Sequence, residues 1–92
     1  MPKIALPEGL SRFLNYVKLE RGLSGNTIEA YERDLERYLT VLSHRGIVSL
    51  EAITQADVSA LLDVLADLGL EATSVARNLT AIRMFHRFLL SE

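Results

Sequence analysis

The apolar residues of this chain recur every three to four positions, and glycines rather than prolines interrupt that pattern. Both prolines lie within the first seven residues, so no later proline breaks a helix. Gly22, Gly46 and Gly69 fall between the periodic segments, where helices commonly end. The alternation of apolar and polar residues that is typical of strands is not found in the sequence. The sequence therefore predicts an all-α protein that folds as a compact four-helix bundle.

The predicted helices cover about residues 8–21, 26–45, 55–68 and 74–90. Ser24 or Asn26 can cap the second helix, and Asn26 with Glu29 has the spacing of a capping box. Thr54 and Thr73 are the expected caps of the third and fourth helices. Each helix has an apolar face, and together these faces predict a core of Leu10, Phe13, Leu14, Val17, Ile28, Tyr31, Leu35, Tyr38, Leu39, Leu42, Leu61, Leu62, Leu65, Leu68, Val75, Leu79, Ile82, Phe85 and Leu89.

Length and composition narrow the class of protein. A chain of 92 residues, 49% of them hydrophobic and 24% charged, has the composition of one globular domain, and we assign residues 1–92 to it. The absence of cysteine excludes a disulfide scaffold, a zinc finger and a cysteine nucleophile. No apolar run approaches the roughly 20 residues of a membrane span, and the N-terminus lacks the apolar stretch of a signal peptide.

The sequence offers little for catalysis, metal binding or cofactor binding. His86 falls in the apolar stripe of the fourth helix and is expected to be a core histidine. His44 lies in the last turn of the second helix, where a partial positive charge is favourable. Gly22 and Gly25 do not form a phosphate loop, and the acids of residues 51–71 do not have the spacing of a calcium loop. We therefore predict no catalytic residue, no metal site and no cofactor.

Charge is unevenly distributed although the net charge is only −2. Residues 51–71 carry five acids and no base, whereas residues 72–90 carry Arg77, Arg83 and Arg87 and no acid. These arginines, with Thr73 and Thr80, lie on the outer arc of the fourth helix. An α-helix fits the major groove of DNA, where arginine reads guanine and threonine contacts base edges or phosphates. The alternative is an ordinary solvated helix with cations towards its C-terminus.

The second helix offers another polar surface. Asn26, Ala30, Arg33 and Arg37 are predicted to lie on its outer face, opposite the apolar stripe. Ser24, Asn26 and Thr27 cluster at its N-terminus, where backbone N–H groups favour a phosphate. The alternative there is simple capping with an ion pair between Glu29 and Arg33 four residues apart.

Four segments of the chain carry a more specific signal. In order, they are Phe13-Leu14-x-x-Val17-x-x-Glu20-Arg21-Gly22-Leu23-Ser24; Leu23-Ser24-x-Asn26-Thr27-Ile28-x-Ala30-Tyr31-x-x-Asp34-Leu35; His44-Arg45-Gly46 followed by Thr54-x-x-Asp57-Val58; and Ala72-Thr73-Ser74-x-Ala76-Arg77-x-Leu79-x-Ala81-Ile82-Arg83-x-Phe85-x-x-Phe88-Leu89. Together they resemble the N-terminal core-binding domain of tyrosine recombinases of the XerC/XerD type and of phage integrases. The resemblance covers about residues 10–91.

The resemblance implies a SAM-like orthogonal bundle that acts in DNA recombination and integration. In that family a helical domain and a C-terminal catalytic domain clamp duplex DNA from opposite sides. The catalytic domain supplies the tyrosine nucleophile, so we expect this chain to be a non-catalytic fragment that stops before the interdomain linker. Tyr16, Tyr31 and Tyr38 are then not the nucleophile. The expected location is the cytoplasm of a prokaryote, or of a cell that carries a phage.

The resemblance also implies the partners and the contact residues. The expected partners are double-stranded DNA at a recombination half-site, the protein's own catalytic domain, and further protomers in a DNA-bound tetramer. The second and fourth helices are implied to face the major groove through Ser24, Asn26, Thr27, Arg33, Thr73, Ser74, Arg77, Thr80, Arg83 and Arg87. Arg83 has an alternative, which is to pair with an acid of the third helix. Arg12, Tyr16 and Leu19 of the first helix are implied to contact protomers.

Two other functions remain open from the sequence. A small four-helix domain can be a protein-interaction module, and the acidic third helix would then be its docking face. The chain can also be a helix-turn-helix transcription regulator, which requires a tight turn between the third and fourth helices. Residues 69–72 are just long enough for such a turn.

Overall fold

The computed structural model describes residues 4–92, which form four α-helices, one short 3₁₀-helix and no β-strand. The α-helices are α1 (Leu6–Leu19), α2 (Gly25–His44), α3 (Gln55–Asp67) and α4 (Ala72–Ser91), and the 3₁₀-helix spans Leu50–Ala52. The all-α fold class predicted from the sequence is confirmed. The first helix begins two residues before the prediction because Pro7 lies in its first turn, where no intrahelical N–H is required.

Two helices end at glycines whose backbone is left-handed. Gly46 has φ of +76° and Gly69 has φ of +70°, a conformation that favours glycine. After α2, the Ile47 N–H donates to the Leu42 carbonyl at 2.9 Å; after α3, the Leu70 N–H donates to the Leu65 carbonyl at 3.3 Å. These bonds are those of a Schellman motif, so each glycine both ends a helix and turns the chain back towards the core.

The helix starts follow the predicted capping chemistry at two positions and depart from it at a third. Ser24 caps α2, since its hydroxyl accepts from the Thr27 N–H at 3.3 Å, and Asn26 lies inside the helix. At α3, the Asp57 carboxylate accepts from the Thr54 N–H at 2.7 Å. The prediction of Thr73 as the cap of α4 is wrong. The turn at Gly69 lets the helix begin at Ala72, and the extended Glu71 is its N-cap, with its carbonyl accepting from Val75.

The core forms where α2 packs against the other three helices. The closest packing joins α2 to α4 and α1, α1 also packs against α4, and α3 packs chiefly against α2. The largest fully buried side chains are Phe13, Val17, Leu35, Tyr38, Leu42, Leu61, Leu65 and Phe85. The rings of Phe13 and Phe85 meet edge to face with centroids 5.6 Å apart, which is a favourable aromatic geometry.

Two residues differ from the prediction in whether their side chains are buried or exposed. Leu68 was expected in the core but is 56% exposed, because α3 ends at Asp67 and Leu68 is its C-cap. Ala30 was expected on the outer face of α2 but is only 8% exposed. A methyl group is small enough to fit beneath a neighbouring helix, so the buried face of α2 is wider than its large apolar side chains indicate.

Candidate nucleic-acid interface

An ion pair joins the N-terminal halves of α2 and α4. Arg77 of α4 donates from Nε to Asp34 Oδ2 at 2.7 Å and from Nη2 to Asp34 Oδ1 at 2.9 Å. The Asp34 side chain is 2% exposed, whereas that of Arg77 is 37% exposed. Hydrogen bonding to the carboxylate raises the pKa of Arg77 above its already high value. The pair is therefore a forked, charge-assisted contact with its acid buried and its base at the surface.

The residues predicted at the start of α2 are accessible. Ser24, Asn26 and Arg33 are exposed, and Thr27 is partly exposed. The hydroxyls of Ser24 and Thr27 lie 3.0 Å apart, so both hydroxyls sit at the helix N-terminus. The pairing of Glu29 with Arg33 that would have explained this arginine does not form among the described residues. Arg33 is left as a solvent-facing cation one residue from Asp34.

The residues predicted on α4 differ in exposure. Thr73, Arg83 and Arg87 are exposed, whereas Ser74 and Thr80 are partly buried. Within residues 4–92, neither Arg83 nor Arg87 forms an ion pair, so the alternative pairing of Arg83 with an acid of α3 is not observed. Arg77 is the member of this set that a carboxylate holds in place.

Asn78, next to Arg77, was not singled out from the sequence. Its side chain is fully buried, and Nδ2 donates to the Ser74 carbonyl at 2.7 Å. Its Oδ1 has no partner among the described residues. Asn78 therefore faces the interior, while the adjacent Arg77 reaches the surface.

Further along the same two helices, the Tyr38 hydroxyl lies 2.9 Å from Nε2 of His86. Burial lowers the pKa of His86, and burial followed by the nearby charge of Asp57 raises the pKa of Tyr38. His86 thus has a hydrogen-bond partner inside the bundle, as expected of a core histidine. Both side chains are neutral at pH 7, and their contact joins α2 to α4 on the inner side.

A second buried acid joins the end of α2 to the start of α3. Asp57 is buried, and its Oδ1 accepts from Arg45 Nε at 2.6 Å. Its Oδ2 accepts from the Thr54 N–H and from the Thr54 hydroxyl at 3.0 Å. The Arg45 hydrogen bond, followed by that from the Thr54 backbone, lowers the pKa of Asp57. One carboxylate thus caps α3 and attaches it to α2.

The residues predicted to contact protomers lie along a groove between α1 and α4. The rings of Tyr16 and Phe88 pack with centroids 5.1 Å apart, and they border a cavity of about 420 Å³ that Arg12 and Leu19 also line. Leu19 is 76% exposed. Arg12 is bound to Glu8 at 3.1 Å and approaches Glu92 at 3.8 Å. The groove is thus lined by both apolar and charged side chains.

Within the described residues, no cluster of three or more histidines, cysteines and acids could hold a metal ion. The helices of residues 4–92 include none that is long and apolar enough to span a membrane.

Several known proteins similar to this chain are tyrosine recombinases. It is 49% identical over 83 residues to the tyrosine recombinase XerD of Chlorobaculum tepidum, and the match covers 90% of the chain and 27% of that protein. The XerD of Staphylococcus saprophyticus subsp. saprophyticus is 42% identical, with 90% of this chain and 28% of the relative covered. The XerD of Oceanobacillus iheyensis is 34% identical over 88 residues, with 95% and 30% covered.

The chain therefore spans between a quarter and a third of the length of these relatives. No solved structure is significantly similar to it. Residues 10–92 match the family described as "Phage integrase, N-terminal SAM-like domain", and this match includes all of α2, α3 and α4. The chain belongs to the phage integrase N-terminal SAM-like domain family.

Proposed function

We propose that this chain is the DNA-binding domain of a tyrosine recombinase and clamps duplex DNA at a recombination half-site through α2 and α4. The observation that carries the proposal is the Arg77–Asp34 pair, which joins the N-terminal halves of the two helices at 2.7 and 2.9 Å. Membership of the integrase family supports it.

The side chains around this pair suit a DNA backbone and its base edges. Ser24, Asn26 and Arg33 on α2, and Thr73, Arg83 and Arg87 on α4, are all exposed. Hydroxyls and amides at a helix N-terminus bind phosphate oxygens, while arginines bind phosphate or guanine. Thr27, Ser74 and Thr80, which are partly buried, would contribute at the edges of this surface.

The rest of the recombination reaction belongs to other parts of the protein. This chain corresponds to little more than a quarter of its relatives, and we propose that the tyrosine nucleophile lies in a catalytic domain outside it. On that basis the chain has no DNA-cleaving activity of its own. Protomers of the DNA-bound tetramer would meet it at Arg12, Tyr16 and Leu19, which line the groove between α1 and α4.

The first test is a titration of the 92-residue chain with a mixed-sequence duplex of about 20 base pairs at low salt. If four or five phosphates are neutralised, the slope of log K against log salt is about −4. Amide chemical shifts should change at residues 24–34 and 73–87 and recover when salt is added. Absence of shift changes, or changes confined to α3, would contradict the proposal.

Charge-removal variants locate the surface. Arg87→Ala should reduce the magnitude of the salt slope by about 0.9, the contribution of one phosphate contact. Lys18→Ala removes one exposed charge from α1 and is the matched control, with the slope unchanged. Equal slopes for wild type and Arg87→Ala would contradict the assignment of α4.

One observation favours a second function, a protein-interaction module. The groove beside Tyr16 and Phe88 is partly apolar, and Leu19, which lines it, is exposed. The arrangement of a helix-turn-helix regulator is less well supported, because α3 packs chiefly against α2 rather than α4. A chain that fails to bind duplex DNA at low salt would favour the interaction module.

A further inference from the structure

The Arg77–Asp34 pair leaves part of the guanidinium group unused. Arginine has five N–H donors, and Asp34 occupies two of them, through Nε and Nη2. Nη1 has no hydrogen-bond partner among the described residues, and 37% of the Arg77 side chain is exposed. The group can therefore hold Asp34 and donate to a second acceptor at the same time.

The geometry of the pair restricts where Arg77 can point. A carboxylate that accepts two parallel N–H bonds fixes the plane of the guanidinium as well as its position. Asp34 is itself held rigidly, since it is 2% exposed and belongs to the middle of a long helix. Arg33, Arg83 and Arg87 have no such partner among the described residues, so Arg77 differs from the other arginines of the proposed surface.

We infer that Asp34 is a positioning residue for DNA binding, which orients Arg77 and compensates its charge so that Arg77 contacts duplex DNA through directed hydrogen bonds. This inference rests on the proposed function and deepens it. Asp34 does not touch DNA, because it is buried. It acts through Arg77, which would bind a phosphate or a guanine edge with the N–H groups that Asp34 leaves free.

Charge compensation has a measurable consequence. A free cation at a phosphate releases a counterion and adds about 0.9 to the magnitude of the salt slope. An arginine whose charge is already neutralised by a buried carboxylate adds less to the magnitude of this slope. Asp34→Asn keeps the size of the side chain and one acceptor oxygen but removes the charge. We expect this variant to bind a mixed-sequence duplex of about 20 base pairs with a slope steeper than wild type by up to about 0.9, because the charge of Arg77 is no longer compensated. At high salt, where counterion release contributes little, we expect it to bind less tightly than wild type because Arg77 is no longer oriented.

The matched control is Asp57→Asn. Asp57 is also buried and bound to an arginine, but it lies at the junction of α2 and α3, outside the proposed surface. Both variants should lower the thermal midpoint, and each slope is measured well below that midpoint. A steeper slope together with weaker binding at high salt in Asp34→Asn, and neither change in Asp57→Asn, supports the positioning role. A merely structural Asp34 would lower the midpoint and leave binding at high salt unchanged, which would overturn the inference.

A second variant preserves the test if Asp34→Asn does not fold. Arg77→Lys keeps the charge but has no fork, so its ammonium cannot hold Asp34 and DNA in the same geometry. We expect affinity for the duplex to fall about tenfold, the effect of losing one directed contact. Arg45→Lys makes the same change on the Asp57 pair and should bind as wild type does. Equal affinities for Arg77→Lys and wild type would overturn the inference.

The two proposals fail in different ways. If the wild-type chain shows no salt-dependent binding to the duplex, the proposed function fails and the inference fails with it. If the wild type binds and neither Asp34→Asn nor Arg77→Lys differs from its control, DNA binding stands and the role of Asp34 is wrong.

Discussion

Asp34 and Asp57 are both buried, and each is bound to one arginine that reaches the surface. Burying a carboxylate is costly unless it is paired and hydrogen-bonded, so each acid is compatible with the fold only while its arginine is in place. The two pairs therefore specify which helices meet: Asp34 joins α2 to α4, and Asp57 joins α2 to α3. The two pairs contribute more to the choice of which helices pack together than to the net free energy of unfolding.

His86 gives the fold a dependence on pH between neutral and mildly acid conditions. Burial lowers its pKa below the value of about 6.5 for an unfolded chain, so the unfolded chain binds more protons in this range. The free energy of unfolding should be fully retained above about pH 6.5 and fall as the pH decreases through the folded-state pKa. Urea unfolding followed by circular dichroism at pH 7.5 and pH 5.5 measures this fall.

The variant that tests this assignment is His86→Gln. His86→Gln should reduce the difference in unfolding free energy between the two pH values, because glutamine does not titrate. An equal difference in wild type and His86→Gln would assign the pH dependence to other groups.

Single residues were predictable where local pattern decides their position. Phe13, Tyr38 and Phe85 lie in the core as their helical spacing indicates. In the sequence, Asp34 stands out only as part of a family motif, and nothing local distinguishes it from a solvated acid. Its burial depends on Arg77, 43 residues away along the chain. Pairs formed across helices are set by tertiary packing, which periodicity does not contain.

At the level of elements, the start of α3 depends most on one side chain. Asp57 accepts from the Thr54 N–H and hydroxyl and from Arg45, so a single carboxylate supplies the cap and the link to α2. Its lowered folded-state pKa means that its contribution is present above about pH 4 and is lost as the pH falls through that lower pKa.

Asp57→Ala should therefore lower the thermal midpoint at pH 7 by about 4–8 °C or more. This is the range expected when a domain of this size loses the stabilising contacts of one side chain. Asp63→Ala, an exposed acid of the same helix, is the control and should change the midpoint little. Thermal unfolding at pH 7 measures the lowered midpoint of Asp57→Ala. The same measurement at pH 3 checks that wild type and Asp57→Ala differ less once the carboxylate is protonated. A midpoint in Asp57→Ala equal to that of wild type at pH 7 would contradict this role.

Helix ends were predictable to the extent that they use side-chain and glycine chemistry. Ser24, Thr54 and the glycines at 46 and 69 act as expected. The cap of α4 was misplaced because Glu71 caps through its backbone alone, without a side-chain bond. Leu68 was misassigned for a related reason, since the turn at Gly69 removes the last predicted residue of α3 from the helix.

The molecule as a whole is a slab of 33 × 30 × 15 Å with a radius of gyration of 12.8 Å. The fold class followed from sequence periodicity. The shape did not, because the crossing of the helices depends on contacts such as Arg77–Asp34 and Tyr38–His86 that join distant parts of the chain.

The attachment of α3 has a consequence for how the molecule opens. The helices α1, α2 and α4 all pack against one another, whereas α3 packs chiefly against α2. A helix that contacts fewer neighbours can open on its own, and the free energy of this local opening is lower than the free energy of unfolding the whole domain. Its amide protons then exchange with solvent through the local opening. In native-state hydrogen exchange, the amides of residues 59–66 should open at lower free energy than those around Leu35 and Phe85. Uniform opening energies would mean that the bundle unfolds as one cooperative unit.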